Sequence, residues 1–162
     1  MPTSADVAIL MGSKNDWTIM RAVAETLGEY GVSYEARVLS AHRTPQETAD
    51  FVRQADAGGT RVFIAAAGMA AHLAGAVAAH TTRPVLGVPL AASDLNGLDA
   101  LLATVQMPPG IPVATLAIGK PGALNAALLA ISILANERPA LRDQLIAARQ
   151  KRAQDILATK LS

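Results

Sequence analysis

Val7-Ala8-Ile9-Leu10-Met11-Gly12-Ser13 is an unbroken apolar run that stops at a glycine and a serine. Apolar side chains in succession, without alternation, are typical of a strand in a parallel sheet, because helices cover both faces of such a sheet. The next apolar side chains recur at helical spacing, at Trp17, Met20, Val23 and Leu27. This pattern predicts a buried strand followed by an amphipathic helix, which is the first unit of an α/β protein.

Strands and helices alternate along the rest of the chain. Further apolar runs predict strands at 34–39, 61–66, 84–88 and 113–118. Amphipathic or small-residue segments predict helices at 44–57, 70–79, 98–105, 122–135 and 139–159. Because parallel strands need helical crossovers, this order predicts a three-layer α/β/α sandwich of flavodoxin-like type with a parallel sheet. No linker interrupts the pattern, so we expect a single domain over 1–162, with 137–162 as a C-terminal helical tail.

Composition excludes several classes of protein. The chain has 162 residues, with 14 Lys or Arg against 13 Asp or Glu and no basic stripe, so we expect no nucleic-acid partner. It has no cysteine, which excludes disulfides and thiolate catalysis and fits a reducing compartment. No apolar run reaches the ~18 residues that suggest a membrane span. The first apolar run follows no basic segment of the kind that begins a signal peptide, so we expect a cytoplasmic protein without membrane contact.

Small or polar residues follow the first three predicted strands, at Gly12-Ser13, Ser40-Ala41-His42-Arg43 and Ala67-Gly68-Met69. The carboxyl ends of parallel strands lie at one edge of a sheet, where such folds bind ligands. We therefore expect these three loops to converge on one ligand. The longest irregular segments, 90–97 and 106–110, are either plain connections or functional loops.

The second loop combines an anion site with a proton carrier. Thr44 and Glu47 predict a capping box, with Pro45 at the first helical position, so the loop precedes a helix N-terminus that attracts anions. Ser40 and Arg43 resemble a phosphate clamp, because arginine binds phosphate through two N–H groups. His42 lies between them, and an imidazole can both donate and accept a proton. A surface histidine beside a structural arginine is an equally valid interpretation of so short a cluster.

The other two loops are less specific. Asp16 can cap the first helix or accept hydrogen bonds from sugar hydroxyls, and N-cap preferences favour capping. Gly68 allows a flat ligand to lie against the backbone. His72 can contact a ligand, although a hydrogen bond to a carbonyl is the commoner role, and His80 is expected near a helix C-terminus. The histidines lack metal-ligand spacing, so we expect no metal.

Several longer motifs occur in one order along the chain. They are Gly12-Ser13-x-x-Asp16-Trp17, Ser40-Ala41-His42-Arg43-Thr44-Pro45, Ala70-Ala71-His72-Leu73, Pro84-Val85-Leu86-Gly87-Val88-Pro89, Val105-Gln106-Met107-Pro108, Val113-Ala114-Thr115-Leu116-Ala117-Ile118-Gly119 and Asn125-Ala126-Ala127. This set resembles the bacterial N5-carboxyaminoimidazole ribonucleotide mutases, also called the catalytic subunits of phosphoribosylaminoimidazole carboxylase. The resemblance extends over residues 6–135.

The resemblance implies a reaction in purine biosynthesis that moves a carboxylate from the exocyclic nitrogen of an aminoimidazole ribonucleotide to ring carbon C4. It places His42 as the general acid and then the general base, without a cofactor. The residues that it assigns to the substrate fall in the three loops. They are Ser13, Ser40 and Arg43 for the 5′-phosphate, Asp16 for the ribose, and Gly68, His72 and Leu73 around the imidazole and its carboxylate. We expect Ala41 to be a further substrate-binding residue.

The chain departs from the family pattern at Asn15, where serine is common, and at Ala74, where proline is common. The second departure can loosen the start of the third helix and shift His72. The family also implies a homo-octamer. This agrees with the segment 123–135, which is apolar all round and therefore needs cover on every side. The tail, with Leu141, Leu145, Ile146 and Ile156, packs either on a neighbouring subunit or on its own domain.

Two alternatives to the mutase remain open from the sequence. One is a related carboxylase that adds free CO2 to unmodified aminoimidazole ribonucleotide, although the residues from Gly68 to Gly75 resemble the mutase branch. The other is a non-enzymatic module that binds a nucleotide or a flavin on a flavodoxin-like fold. The predicted loops contain few aromatic side chains, which argues against flavin stacking.

Overall fold

The computed structural model describes residues 5–161 and contains a five-stranded sheet. The strands are β1 (Val7–Met11), β2 (Tyr34–Val38), β3 (Val62–Gly68), β4 (Val85–Leu90) and β5 (Ala114–Thr115). Their order is β2-β1-β3-β4-β5, and every neighbouring pair is parallel. In the register of the sheet, Ile9 pairs with Ala36 on one side and with Ile64 on the other. This is the flavodoxin-like order, so the predicted fold class is confirmed.

Helices cover both faces of the sheet because successive side chains of each strand point to opposite faces. The helices are α1 (Trp17–Glu29), α2 (Pro45–Gly58), α3 (Leu73–Ala78), α4 (Leu98–Val105), α5 (Lys120–Leu134) and α6 (Pro139–Leu157). Ile9 packs in one core with α1 and α5, whereas its neighbour Leu10 packs in the other core with α2 and α3. Every side chain of β1 is buried, as its apolar run predicts.

The third helix begins at Leu73, not at residue 70 as the small-residue pattern predicts. Met69, which has φ 55°, turns the chain sharply after β3. The backbone N–H of Ala71 then donates to the carbonyl of Met69 at 2.9 Å, and that of His72 donates to Ala70 at 2.8 Å. These tight turns use the groups that a helix would need, so the segment 70–72 forms an irregular loop.

The fifth strand is much shorter than the predicted 113–118. Beyond Thr115, the N–H of Leu116 donates to Gly87 and the N–H of Gly119 donates to Pro89, each at 2.9 Å. The chain therefore advances three residues where β4 advances two, and this extra residue ends regular pairing. By contrast, β3 and β4 each continue two residues past their predicted ends.

The C-terminal helix α6 is joined to the sandwich mainly near its start. Leu141 is buried and Leu145 is half-buried, whereas nearly all the remaining side chains of α6 are exposed. Arg138, just before the helix, donates to both carboxylate oxygens of Asp6. On α5, Leu124 and Leu129 are each 37% exposed, so the apolar-all-round helix is not covered on every side within one chain.

The expectation about a signal peptide rests partly on residues 1–4, which lie outside the described residues, as does residue 162 of the tail. Over 5–161, none of the helices combines the length and the apolar character that crossing a bilayer requires.

Candidate active site

A cavity of about 510 Å³ lies at the carboxyl edge of the sheet, between the ends of β1, β2, β3 and β4. This edge includes the point between β1 and β3 where the strand order reverses, which is the usual ligand position in such folds. The structure brings all nine sequence-predicted site residues to its walls. They are Ser13, Asp16, Ser40, Ala41, His42, Arg43, Gly68, His72 and Leu73.

The first loop is a single 3₁₀ turn, Lys14–Asp16, closed by a reciprocal cap. The N–H of Ser13 donates to Asp16 Oδ2 at 2.9 Å, and the N–H of Asn15 donates to Ser13 Oγ at 3.2 Å. Asp16 therefore caps this turn, whereas its side chain makes no capping bond to α1. Burial raises the pKa of Asp16, and the N–H of Ser13 and the positive charge of Arg43 oppose that rise. One carboxylate oxygen of Asp16 remains for a ligand hydroxyl.

The capping box predicted at the second loop does not form. Thr44 occupies the N-cap position of α2 with Pro45 in the first turn, but its hydroxyl makes no bond to the helix. Instead, Thr44 Oγ1 accepts the N–H of Ser40 at 2.8 Å and donates to the carbonyl of Ser40 at 3.1 Å. Glu47 is exposed. The hydroxyl of Thr44 therefore bonds to the backbone of Ser40 instead of to the N–H groups of the helix. These bonds hold the backbone of Ser40 in place.

Arg43 joins the first two loops. Its Nη2 donates to the carbonyl of Gly12 at 2.5 Å, and its backbone N–H donates to Ser40 Oγ at 3.2 Å. Its Nε lies 3.4 Å from the same hydroxyl. Among residues 5–161, Arg43 Nη1 has no hydrogen-bond partner, so the guanidinium keeps donors for an anion. This arrangement agrees with the predicted Ser40–Arg43 clamp and differs from an arginine fully engaged in structure.

Two histidines meet across the cavity. His42 Nε2 lies 2.8 Å from His72 Nδ1, and the ring planes cross at 80° with centroids 4.9 Å apart. Both side chains are exposed. One facing nitrogen must donate and the other must accept, so only one proton lies between the rings. His72 thus uses its Nδ1 for the other histidine and not for a backbone carbonyl, and its contact with a ligand stays a prediction. His80 lies outside the cavity, next to the C-cap Ala79, with its Nδ1 3.4 Å from Arg53 Nη2.

Six residues in the walls were not assigned to the substrate from the sequence: Gly12, Asn15, Ala67, Met69, Ala70 and Ala92. A Cβ on Gly68 would lie 2.5 Å from Ala92 Cβ, so the glycine is needed for the loop after β4 to close against β3. The signal that could have found Ala92 is the irregular segment 90–97, which follows a strand end at the same edge of the sheet.

The fold and the cavity together define a class: an α/β protein with a ligand-sized cavity at the switch point of a parallel sheet, lined by two histidines and an arginine. A family model described as AIR carboxylase matches residues 6–155. The chain belongs to the AIR carboxylase family.

Relatives match the chain over nearly its whole length. The N5-carboxyaminoimidazole ribonucleotide mutase of Saccharolobus solfataricus is 52% identical, covering 96% of this chain and 97% of that protein. The protein of the same name from Brucella melitensis is 54% identical, covering 90% of this chain and 87% of its own. The crystal structure of Treponema denticola PurE superposes with a TM-score of 0.85 at 28% identity and covers 93% of both chains.

Proposed function

We propose that this chain converts N5-carboxyaminoimidazole ribonucleotide into 4-carboxy-5-aminoimidazole ribonucleotide in purine biosynthesis, with His42 as the acid–base group. The observation that carries the reaction is the 52% identity, over 96% of the chain, to a protein named as this mutase. The chain is accordingly an isomerase. The role of each side chain rests on the geometry of the cavity.

The substrate lies across the three loops. The 5′-phosphate binds to Arg43 and to the hydroxyls of Ser13 and Ser40. These side chains lie close together because the hydrogen bond from Arg43 to Gly12 joins the two loops that carry them. Asp16 receives the ribose hydroxyls on its remaining carboxylate oxygen. A guanidinium and neutral hydroxyls suit a phosphate dianion, and charge-assisted bonds of this kind are among the strongest in proteins.

The imidazole lies deeper, between the second and third loops. Gly68 and Ala41 present backbone to the flat ring, and buried Leu73 closes the floor beneath it. His42 and His72 lie at the cavity wall where the exocyclic nitrogen and C4 must react. This position supports proton transfer, since a catalytic base must reach the reacting atom within hydrogen-bond distance.

His42 alone can balance the protons of the reaction, because one proton is donated and one is recovered. The carbamate C–N bond breaks, its electron pair returns to nitrogen, and His42 donates a proton there while neutral CO2 is released into the cavity. C4 then attacks CO2 and forms the new C–C bond. The proton displaced from C4 returns to His42, which restores the starting state. His72 orients His42 through the 2.8 Å contact between their rings.

The assembly is a homo-octamer in the cytoplasm. Exposed apolar side chains on α5 and α6 support association, because soluble monomers rarely leave several large apolar groups together in solvent. The tail over 137–162 packs on a neighbouring subunit in this proposal.

A His42→Asn variant tests the mechanism. We expect carboxyl transfer to fall by roughly 10²–10⁴-fold, the usual contribution of a general acid–base group. Binding of the product should persist because the phosphate and ribose contacts are intact, and calorimetry checks this. Full activity in the variant would refute the role of His42.

The substrate distinguishes the mutase from its two alternatives. The wild-type chain should turn over the carbamate without added bicarbonate. Turnover that depends on bicarbonate and ignores the carbamate would establish the CO2-using carboxylase instead. Ligand binding without turnover of either substrate would indicate a non-enzymatic module.

A further inference from the structure

We propose that Ser93 and Asp99 are positioning residues that hold Ala92 against Gly68, and that this contact completes one wall of the cavity and so slows the escape of CO2. The inference rests on the proposed carboxyl transfer and adds to it three residues to which that mechanism gives no role. All three belong to the loop after β4 or to the first turn of α4.

Ser93 organises the loop from its centre. Its Oγ donates to Asp99 Oδ2 at 2.7 Å and accepts the N–H of Leu95 at 3.1 Å. Its carbonyl accepts the N–H of Asn96 at 3.2 Å. One serine therefore ties the loop both to itself and to the start of α4.

Asp99 depends on this serine. Its Oδ1 is buried and has no hydrogen-bond partner among residues 5–161, so the bond from Ser93 to Oδ2 is the polar contact that the carboxylate has. Removing one partner from a buried polar group leaves the other with its full desolvation penalty. The loop and α4 are thus coupled, because displacement of Ser93 leaves the partly buried carboxylate of Asp99 without its hydrogen bond.

The loop is also packed tightly at both ends. At its far end, a Cβ on Gly97 would lie 2.7 Å from Ile118 Cγ2, and the residue has φ 87°. At its near end, the position of a Cβ on Gly68 lies 2.5 Å from Ala92 Cβ and 3.2 Å from the carbonyl of Leu90. Ala92 therefore touches the backbone of β3 directly, and it lines the cavity that holds His42.

This contact has a consequence for a released CO2 molecule. CO2 is small, uncharged and has no hydrogen-bond donor, so polar groups in the cavity hold it weakly and confinement must come from continuous walls. Gly68 has no side chain to contribute to the wall between β3 and β4, and the methyl group of Ala92 covers this position. The Ser93–Asp99 bond keeps that methyl in place during the interval between C–N cleavage and C–C formation.

The test measures retention of the transferred carboxyl group. The carbamate substrate carries ¹³C in its carboxylate, the buffer contains excess unlabelled bicarbonate with carbonic anhydrase, and the ¹³C content of the product is read by mass spectrometry. Loss of label from the substrate without enzyme is subtracted. The wild-type chain should retain the label.

Four variants separate positioning from general damage. Ser93→Ala and Asp99→Ala should lose label several-fold more than wild type and release more decarboxylated ribonucleotide per product formed. Asp99→Asn keeps an acceptor for Ser93 and should restore retention. Ala92→Gly removes only the methyl group and should leak even though the serine bond is intact.

The matched control is Ser33→Ala. Ser33 Oγ also donates to a carboxylate, Asp6 Oδ2, and accepts a backbone N–H, each at 2.9 Å, but it lies at the opposite edge of the sheet. Its variant should keep the label. If Ser93→Ala or Ala92→Gly retains label as wild type does, the inference is wrong and the mutase reaction stands. If wild type itself yields unlabelled product, the proposed function fails first.

Discussion

The hydroxyl of Thr44 shows how one side chain can serve a site rather than the helix that it precedes. Its two hydrogen bonds, to the N–H and to the carbonyl of Ser40, hold that serine, the proposed phosphate ligand, against the first turn of α2. Thr48, one turn later, also bonds backwards, to the carbonyl of Thr44 at 2.8 Å. The backbone of the loop is thereby fixed before any ligand binds, which reduces the ordering cost of binding.

Thr44→Ala should destabilise the chain by about 1–2 kcal/mol, because it leaves the partly buried backbone groups of Ser40 without their partner. It should also raise the KM for the ribonucleotide, since we propose that Ser40 contacts the phosphate. Thr44→Ser should restore both properties. Urea unfolding and steady-state kinetics measure them.

Glu47→Ala is the matched control for this prediction. Because the capping box does not form, the free energy of unfolding should change by no more than about 0.5 kcal/mol, as for an ordinary surface substitution. A loss from Glu47→Ala as large as that from Thr44→Ala would show that the capping box exists in solution.

At the level of single residues, the pattern of residue types predicted which side chains reach the cavity but not how they bond. Ser40, His42 and Arg43 reach it because they follow a parallel strand, and this depends only on topology. The meeting of His42 with His72 could not be predicted, because it joins residues 30 positions apart in loops of irregular geometry. The role of Asp16 could not be predicted either, because it caps a 3₁₀ turn of three residues, which is too short to show a periodicity in the sequence.

At the level of elements, apolar runs predicted the ends of the buried strand β1 well and those of the edge strand β5 less well. β1 has its predicted ends because all of its side chains are buried and its composition is uniform. The segment 70–79 has helical composition throughout, yet the strained turn at Met69 delays the helix to Leu73. Intrinsic propensity is a weak signal over ten small residues, and tertiary contacts overrule it.

The junction between α5 and α6 depends on a charged pair that titrates. The hydrogen bonds from Arg138, and then from Ser33, hold the pKa of Asp6 below its ordinary value of 3.8. An unfolded chain takes up this proton at higher pH than the folded chain does. The pair therefore contributes stability above pH 3.8, and that contribution is lost as the pH falls through the folded pKa.

Asp6→Asn should accordingly flatten the loss of stability as the pH falls below 3.8 and should lower stability at neutral pH. Urea midpoints from neutral pH down into that acid range measure both effects. The control is Glu137→Gln, which breaks the ion pair with Arg61 on the same junction. That pair is exposed, and exposed pairs contribute little. Equal pH profiles for Asp6→Asn and wild type would contradict the prediction.

At the scale of the whole molecule, the sheet region buries its apolar side chains, whereas the outer helices leave several of theirs exposed. The sheet and both cores form within one chain, and the loops of that one chain bring His42 beside His72 in the cavity. The outer surfaces of α5 and α6 are different, because large apolar side chains remain exposed there. Ile146 is 49% exposed, Ile156 73% and Leu157 86%.

The octamer proposal makes a direct prediction about these exposed side chains. The wild-type chain should have eight times its 16.7 kDa mass by sedimentation or light scattering. Ile156→Asp combined with Leu157→Asp should yield smaller species, because unpaired charges buried at an interface are strongly destabilising. The circular dichroism spectrum of the variant should stay unchanged, since both positions are exposed within one chain.

Gln154→Asp, on the same exposed stretch of α6, is the control for added charge and should keep the large assembly. An unchanged mass in the double variant would mean that the end of the tail does not pack on a neighbour. A wild-type mass near 16.7 kDa would contradict the octamer itself. Because the cavity lies at the strand ends, the dissociated variant also shows whether carboxyl transfer needs the assembly: activity that survives dissociation places the whole reaction within one chain.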